Sequence, residues 1–369
     1  MNLTLHITNK CNLNCSYCFV PHGEISMTRE IAYAAIELAM KGSKSTGLLF
    51  YGGEPLLEKE LIYDIVEHNK KITKETGHVF TYKITTNGIL LDEEFLKFSQ
   101  DINMAIGFSH DGPAQDDCRL FRNKDKTSEV LKDTIPLLLK YQPYAVGLSV
   151  LNPTTVHKAS DILKFLIDSG FKYISMNVNY CGTAGWTKKH FEVLRKEYKK
   201  IAKMYEEWTT AEKKIYFAPF DAKILSHLKG KKYHEDRASM NRDQPSIAPC
   251  GTIYPMSKYI DQTDFAIGDI FSGFDNSKRE HFEKKANDMP VSCRECAINK
   301  RCNYMFSNLG YNGEDYFPNI SPVQCFHEQM ITPIADTLAE KLYSKRNALF
   351  IHKHYNDMYP IISLSEDSR

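Results

Sequence analysis

The chain has 369 residues, of which 42% are hydrophobic, enough for a sizeable core in one or two domains. Its formal net charge is +1, so the composition favours neither a nucleic-acid partner nor a strongly acidic one. No apolar run reaches the length of about 18 residues that spans a membrane, and the first residues lack the features of a secretory signal. We therefore expect a cytoplasmic protein that does not span a membrane.

Apolar periodicity predicts strands that alternate with helices over the first half of the chain. The predicted strands are 3–8, 48–51, 79–85, 102–109, 144–151 and 171–179. The predicted helices are 27–41, with Thr28 as its N-cap, then 58–75, 92–100, 125–140 and 158–169. Such alternation predicts a parallel α/β sheet with crossover helices, and its distinctive residues follow the strand ends, where βα barrels carry their chemistry.

The second half of the chain has weaker periodicity. Residues 188–213 predict a charged, solvated helix, and residues 326–345 predict an amphipathic helix before a mobile tail that starts at about residue 360. We predict an α/β domain with its following helix over 1–230, a bridging segment over 231–249, and a cysteine-rich domain with the last helix over 250–369.

Ten cysteines in a chain without a secretory signal indicate metal binding rather than disulfides. Cys11, Cys15 and Cys18 form a CxxxCxxC motif after the first strand. Three thiols make an incomplete site, whereas structural zinc is closed by four ligands. A [4Fe–4S] cluster held by three cysteines keeps one iron open. Cys118 and Cys181 stand alone and are expected to be buried free thiols.

This motif, with Tyr17 before its last cysteine, resembles that of the radical S-adenosylmethionine (SAM) enzymes. The resemblance implies a partial (β/α)6 TIM-type barrel and SAM bound to the open iron. It also implies that reductive cleavage of SAM gives a 5′-deoxyadenosyl radical, which abstracts hydrogen from a substrate.

Further motifs at strand ends match the SAM-binding elements of this family. By the resemblance, the cofactor-binding residues are Tyr17, Gly52, Gly53 and Glu54 of the GGEP motif, Asn87 of TNG, Ser109 and Asp111 of SxDGP, and Arg119, with Arg122 as an alternative. An arginine suits a carboxylate because its fork binds bidentately. GGEP alone could be a glycine turn, and His110 could face the site or pack as a core histidine.

A second cysteine set comprises Cys293, Cys296, Cys302 and Cys325, with a CxxCx5C core. Its spacing fits zinc or an iron–sulfur cluster equally well. After a radical SAM barrel it resembles the SPASM domain, which implies a fully ligated auxiliary [4Fe–4S] cluster that transfers electrons.

A complete SPASM domain holds two auxiliary clusters, but Phe306, Ser272 and Gly273 stand where further cysteines are expected. We therefore expect one auxiliary cluster. Cys250 matches one ligand of the second cluster, which is expected to be missing. It is then an inert relic, a catalytic thiol that donates hydrogen to a substrate radical, or a ligand of a cluster whose other ligands are not cysteines.

The SPASM-type enzymes mostly modify peptides or proteins, so the resemblance implies a peptide substrate and a thioether, carbon–carbon or ether cross-link. The alternatives are formylglycine formation, as in the anaerobic sulfatase-maturating enzymes, peptide epimerisation, or a non-catalytic electron carrier. A flavodoxin- or ferredoxin-type electron donor is the expected partner. The peptide is recognised by the barrel mouth, by residues 214–249 or by a separate peptide-recognition protein.

Overall fold

A computed structural model describes residues 1–230, 244–302, 321–356 and 358–359. Phe306, most of the predicted bridging segment and the tail after residue 360 lie outside this range. Within it, no helix combines the length and the apolar character needed to cross a membrane. The predicted domain boundaries at 230 and 249 stay a prediction, because residues 231–243 are among those not described.

Strands and helices alternate as predicted through the first half of the chain. The strands are β1 (Leu3–Thr8), β2 (Leu13–Cys15), β3 (Ser45–Gly52), β4 (Val79–Thr86), β5 (Ala105–Ser109), β6 (Arg119–Phe121), β7 (Val146–Leu151), β8 (Tyr173–Val178), β9 (Tyr216–Phe217), β10 (Ser246–Ile247), β11 (Thr252–Tyr254), β12 (Gly268–Asp269) and β13 (Gly273–Phe274). The helices are α1 (Arg29–Met40), α2 (Lys59–Thr76), α3 (Glu93–Asp101), α4 (Gln115–Cys118), α5 (Ser128–Tyr141), α6 (Ala159–Asp168), α7 (Lys188–Thr210), α8 (Ala218–Lys229), α9 (Asn276–Asn287), α10 (Val291–Arg294), α11 (Pro322–Ser344) and α12 (Ala348–Tyr355).

Local sequence explains where the first helices begin. The Thr28 side chain accepts a hydrogen bond from the Ile31 amide and caps α1, as predicted. The Asp92 carboxylate accepts one from the Phe95 amide and caps α3. Each such cap stabilises its helix by roughly 1 kcal/mol, since the first-turn amides have no partner within the helix.

The chain packs as two compact units, and the first contains residues 1–111, 115–147 and the described part of 236–288. Its sheet has the order β13-β12-β11-β10-β1-β3-β4-β5, in which β1, β3, β4 and β5 pair in parallel. Side chains of alternate residues fill the core under the helices, among them Leu5, Ile7, Phe50, Ile84 and Phe108. Each contributes roughly 1.5–3 kcal/mol by burial. The carboxyl ends of the four parallel strands therefore meet at one rigid edge.

The second unit contains residues 112–114 and the described parts of 148–235 and 289–369. It holds the strand order β7-β8-β9, and α11 lies against α7 and α8. The prediction that residues 188–213 form a solvated helix is wrong for one face of α7. Leu194, Tyr198 and Ile201 on that face are fully buried, because apolar residues recur at helical spacing among the lysines and glutamates.

Part of the predicted bridging segment is a strand. Ser246 and Ile247 pair in parallel with Thr4 and Leu5 of β1, and the Thr4 amide donates to the Pro245 carbonyl at 3.0 Å. Two residues are too few to show a period, so the sequence predicted a loop here. The pairing satisfies the outer edge of β1, whose backbone groups would otherwise lack partners.

Candidate active site

The first three cysteines lie on a segment that is braced along its length. Cys15 and its neighbours form β2, which pairs antiparallel with β6 and sets Cys15 opposite Arg119. The Arg122 guanidinium donates from Nε to the Cys11 carbonyl at 2.7 Å. The Ser16 amide donates to the Cys118 carbonyl at 2.9 Å. The cysteine segment is therefore fixed to the 118–122 segment, more than 100 residues downstream.

The thiols of Cys11, Cys15 and Cys18 are partly buried and lie within electrostatic reach of one another. Burial raises the pKa of Cys11 to about 12 and that of Cys15 to about 11. Among the described residues, no three His, Cys, Asp or Glu side chains are arranged to hold a metal ion directly.

Tyr17, Asp111 and Arg119 form a buried chain beside the thiols. The Tyr17 hydroxyl donates to the Asp111 carboxylate and accepts from Arg119 Nη1 at 2.6 Å. Burial alone would lower the pKa of Arg119, but the neighbouring Tyr17, Cys15 and Asp111 raise it overall, so the guanidinium stays charged. Its Nε is buried and has no hydrogen-bond partner among the described residues. The cluster thus offers a buried cationic donor beside Cys15.

Glu54 is fully buried, and its carboxylate accepts three hydrogen bonds from the protein. Thr86 Oγ1 donates to it at 2.7 Å, the Asn87 amide at 2.7 Å and the Leu56 amide at 3.1 Å. Burial raises the pKa of Glu54, although these donors act against the shift. The Glu54 side chain therefore links the end of β3 to the end of β4.

Gly52 and Gly53 allow the end of β3 to approach the cysteine segment closely. The Gly53 amide donates to the Thr8 carbonyl and the Glu54 amide to the Lys10 carbonyl, both at 2.8 Å. A Cβ atom on Gly53 would lie 2.0 Å from the Lys10 carbonyl oxygen. Gly52 has a φ of 127°, which disfavours other residues, so both positions require glycine.

Asn87 connects the TNG turn to the cysteine segment. Its Nδ2 donates to Asn12 Oδ1 at 2.8 Å and lies 3.9 Å from Cys11 Sγ. Ser109 is partly exposed at the end of β5. His110 is buried and stacked on Phe108 with ring centroids 5.9 Å apart, which favours the packed alternative over one that faces the site.

The second cysteine set occupies the second unit. Cys293 lies in α10, Cys296 and Cys302 follow in consecutive tight turns, and Cys325 lies in the first turn of α11. Burial raises the pKa of Cys325, and the charges of Cys296 and Glu328 raise it further. These four thiols are thus supplied by the short helix α10, the turns that follow it, and the first turn of α11.

The remaining cysteines are separate from both sets. Cys118 is buried, as predicted, whereas the prediction that Cys181 is buried is wrong. Cys181 is partly exposed because it starts the turn after β8, where its Sγ lies 2.9 Å from Thr183 Oγ1. Cys250 is exposed, and its Sγ lies 3.4 Å from Thr252 Oγ1.

Comparison with known proteins identifies the first part of the chain. Residues 5–166 match the model of the Radical SAM superfamily. This chain carries a radical SAM domain. Such a domain implies SAM and a [4Fe–4S] cluster as cofactors.

Relatives of this chain include the cysteine-type anaerobic sulfatase-maturating enzyme of Clostridium novyi. It is 25% identical over 376 aligned residues, which cover 90% of this chain and 96% of that protein. Native anSMEcpe with bound AdoMet and Cp18Cys peptide has a TM-score of 0.77 at 17% identity, over 93% of this chain and 98% of that one. Streptococcus suis SuiB bound to precursor peptide SuiA has a TM-score of 0.59 at 14% identity, over 84% of this chain and 72% of that one. The predicted fold class and the predicted resemblance to these two groups are confirmed.

Most predicted site residues of the radical SAM domain meet around the cysteine segment. The contacts bring together Cys11, Cys15, Cys18, Tyr17, Glu54, Asn87, Asp111 and Arg119. Cys250 is exposed and contacts Thr252, and its proposed catalytic role stays a prediction.

Sequence reasoning missed two residues that contribute to this site. Asn12 bonds Asn87, and Tyr51 lies within the electrostatic reach of Cys18 and Arg119. Tyr51 directly precedes GGEP, so its place at a strand end was an available signal. No sequence signal pointed to Asn12, because its partner Asn87 is distant in sequence.

Proposed function

We propose that this protein uses SAM and a [4Fe–4S] cluster held by Cys11, Cys15 and Cys18 to abstract hydrogen from a peptide substrate. The product is a post-translationally modified peptide, with a thioether, carbon–carbon or ether cross-link. The observation that carries the proposal is the set of three neighbouring thiols beside a buried arginine with an unused donor, at the ends of parallel strands.

The three cysteine thiols suit the cluster. Three thiols without a fourth leave one iron open to a small ligand, and the positive charge of Arg119 offsets the negative charge of a thiolate-bound cluster. When bound, the cluster supplies the electron that cleaves SAM. The chain's own contribution is to hold the thiols: Arg122 fixes the Cys11 carbonyl, and β6 fixes Cys15.

The strand ends suit SAM. Arg119 Nε is available to a carboxylate, and glycines 52 and 53 bring backbone near the ligand. Glu54 orders the β3 and β4 ends through its three protein donors. Asn87, Ser109 and Asp111 line the same edge. Their proposed role is to orient SAM so that its reactive carbon faces the substrate.

The four cysteines at 293, 296, 302 and 325 suit a fully ligated auxiliary cluster. With no open iron, it would transfer electrons rather than bind substrate. We propose no second auxiliary cluster, since Cys250 is exposed and partnered by Thr252. The electron donor, a separate peptide-recognition protein and the cytoplasmic location stay predictions.

A second candidate is formylglycine formation. It is favoured by the likeness to sulfatase-maturating enzymes over nine-tenths of the chain. Both candidates act on peptides, in line with the peptide-bound structures of anSMEcpe and SuiB. We prefer cross-linking because this chain lacks cysteines at the positions of a complete SPASM domain.

Mass spectrometry of peptides separates the two candidates. Reconstituted protein would be incubated anaerobically with SAM, dithionite and either a cysteine-containing sulfatase peptide or the small peptides encoded beside its gene. A cross-link removes two hydrogens and keeps the sulfur, whereas formylglycine formation removes the sulfur. Sulfur loss from the sulfatase peptide would overturn our preference. Unmodified peptides, with no 5′-deoxyadenosine formed, would overturn both candidates.

A further inference from the structure

The second cysteine set is braced by a buried ion pair that none of the cofactor roles above uses. Lys223 on α8 and Glu328 on α11 pair at 2.6 Å, with side chains that are each 5% exposed. A buried pair seldom adds stability over an apolar pair of the same size. Its presence here therefore calls for a role other than stability.

Lys223 reaches the cysteine loop directly. Its Nζ donates to the carbonyl of Arg301, the residue before Cys302, at 2.8 Å. Arg301 in turn donates to both oxygens of Asp336 on α11, at 2.8 and 2.6 Å, and to the Lys223 carbonyl at 3.2 Å. The backbone beside Cys302 is thus held to α8 and α11 at once.

Glu328 is close to the cysteine on the helix. It lies three residues after Cys325 on α11, a spacing that puts both on one face. The Cys325 thiol lies within electrostatic reach of the Glu328 carboxylate. The Tyr180 phenol lies within electrostatic reach of both Glu328 and Cys302. One member of the ion pair therefore bonds the loop that carries Cys302, and the other lies beside Cys325.

We propose that Lys223 and Glu328 are positioning residues for the auxiliary cluster, fixing Cys302 relative to Cys325 and setting the local charge that tunes its reduction potential. This inference rests on the proposal that the four cysteines hold that cluster. Partners of metal ligands outside the coordination sphere commonly change metal affinity about 10- to 100-fold when lost. As a pair the two residues are neutral, so removing either one leaves a net charge beside the cluster.

The two single variants are expected to shift the potential in opposite directions. Lys223→Met leaves the negative charge of Glu328, which disfavours the reduced cluster and lowers its potential. Glu328→Gln leaves the positive charge of Lys223, which raises the potential. A purely structural role would not give opposite signs.

The experiment uses the full chain with Cys11, Cys15 and Cys18 replaced by alanine, so that only the auxiliary cluster remains. Its midpoint potential is measured by redox titration followed by electron paramagnetic resonance, and iron release to a chelator is timed. Lys200→Met is the matched control, because Lys200 forms a lysine–glutamate pair with Glu197 in the same unit. We expect opposite potential shifts for the two variants, iron release about 10-fold faster for Lys223→Met, and neither change for Lys200→Met.

A double variant covers the case in which a lone buried charge prevents folding. Lys223→Met with Glu328→Met restores neutrality, so its potential should lie near that of the parent. Iron release should stay fast, because the bond to the Arg301 carbonyl is lost. Potential shifts of the same sign in the two single variants would overturn this inference alone. So would potentials and iron-release rates that equal those of Lys200→Met in every variant. A parent without about four irons would overturn it together with the auxiliary cluster.

Discussion

Arg119 Nη1 donates to the Tyr17 hydroxyl at 2.6 Å, although the two residues are 102 positions apart. The same hydroxyl donates to Asp111, so one phenol links a cation to an anion beside the cysteines. This link orients Arg119 and leaves its Nε without a protein partner. It is the relationship on which the proposed SAM site depends most.

Tyr17→Phe should weaken SAM binding. It removes the shared hydroxyl, and a lost buried hydrogen bond costs about 1–3 kcal/mol, so we expect a rise in the Kd for SAM of about 5- to 150-fold. Isothermal titration of the reconstituted protein measures this directly. Tyr33→Phe, in α1, is the control. Equal Kd values for the two variants would contradict the role of Tyr17.

Gly53→Ala should displace the cysteine segment. Its Cβ would lie 2.0 Å from the Lys10 carbonyl oxygen, and neither backbone can move without breaking the 2.8 Å bonds that join them. We expect a loss of about 1–3 kcal/mol in stability and weaker retention of iron. Gly23→Ala is the control, since its Cβ would meet the nearest atom at an ordinary 3.6 Å. Iron content after reconstitution is the measurement, and equal iron in both variants would refute the argument.

The strands and helices before residue 180 were predictable because their apolar periods are long and regular. The β2–β6 pairing was not, since three-residue strands show no period and Cys15 meets Arg119 only through tertiary contact. The motifs allowed the candidate residues to be named. They could not show that three protein groups donate hydrogen bonds to the Glu54 carboxylate. That depends on how the ends of β3 and β4 meet.

His6 should make the stability of the protein sensitive to acid. It is fully buried on β1 beside Tyr51, and burial lowers its pKa to about 3. Below pH 6.5 the unfolded chain binds a proton there that the folded chain does not, so stability falls as pH falls, by about 1.4 kcal/mol per unit. The slope persists to about pH 3, where the folded chain also binds the proton.

His6→Phe should remove this share of the pH dependence. Urea unfolding of the reconstituted protein at pH 6.5 and 5.5 compares it with His157→Phe, which replaces an exposed histidine. The loss of stability between the two pH values should be smaller in His6→Phe by about 1 kcal/mol. Parallel slopes for the two variants would show that His6 takes up its proton in the folded state.

Cys250→Ala should leave the iron content unchanged. The Cys250 thiol is exposed and partnered by Thr252 rather than by other cysteines. We expect about eight irons per chain, as for two cubanes, in both the variant and the unchanged protein. The iron content of the Cys293→Ala variant should fall to about four irons per chain. A loss of iron in Cys250→Ala would instead assign this cysteine to a further cluster.

The central claim is that the cysteines of the radical SAM domain hold the cluster that cleaves SAM. Its most direct test compares the unchanged protein with the Cys11, Cys15 and Cys18→Ala variant after anaerobic reconstitution, addition of dithionite and SAM, and chromatography of the products. We predict 5′-deoxyadenosine from the unchanged protein and none from the variant, which should keep about four irons. No 5′-deoxyadenosine from the iron-loaded unchanged protein, or equal amounts from both, would contradict the claim.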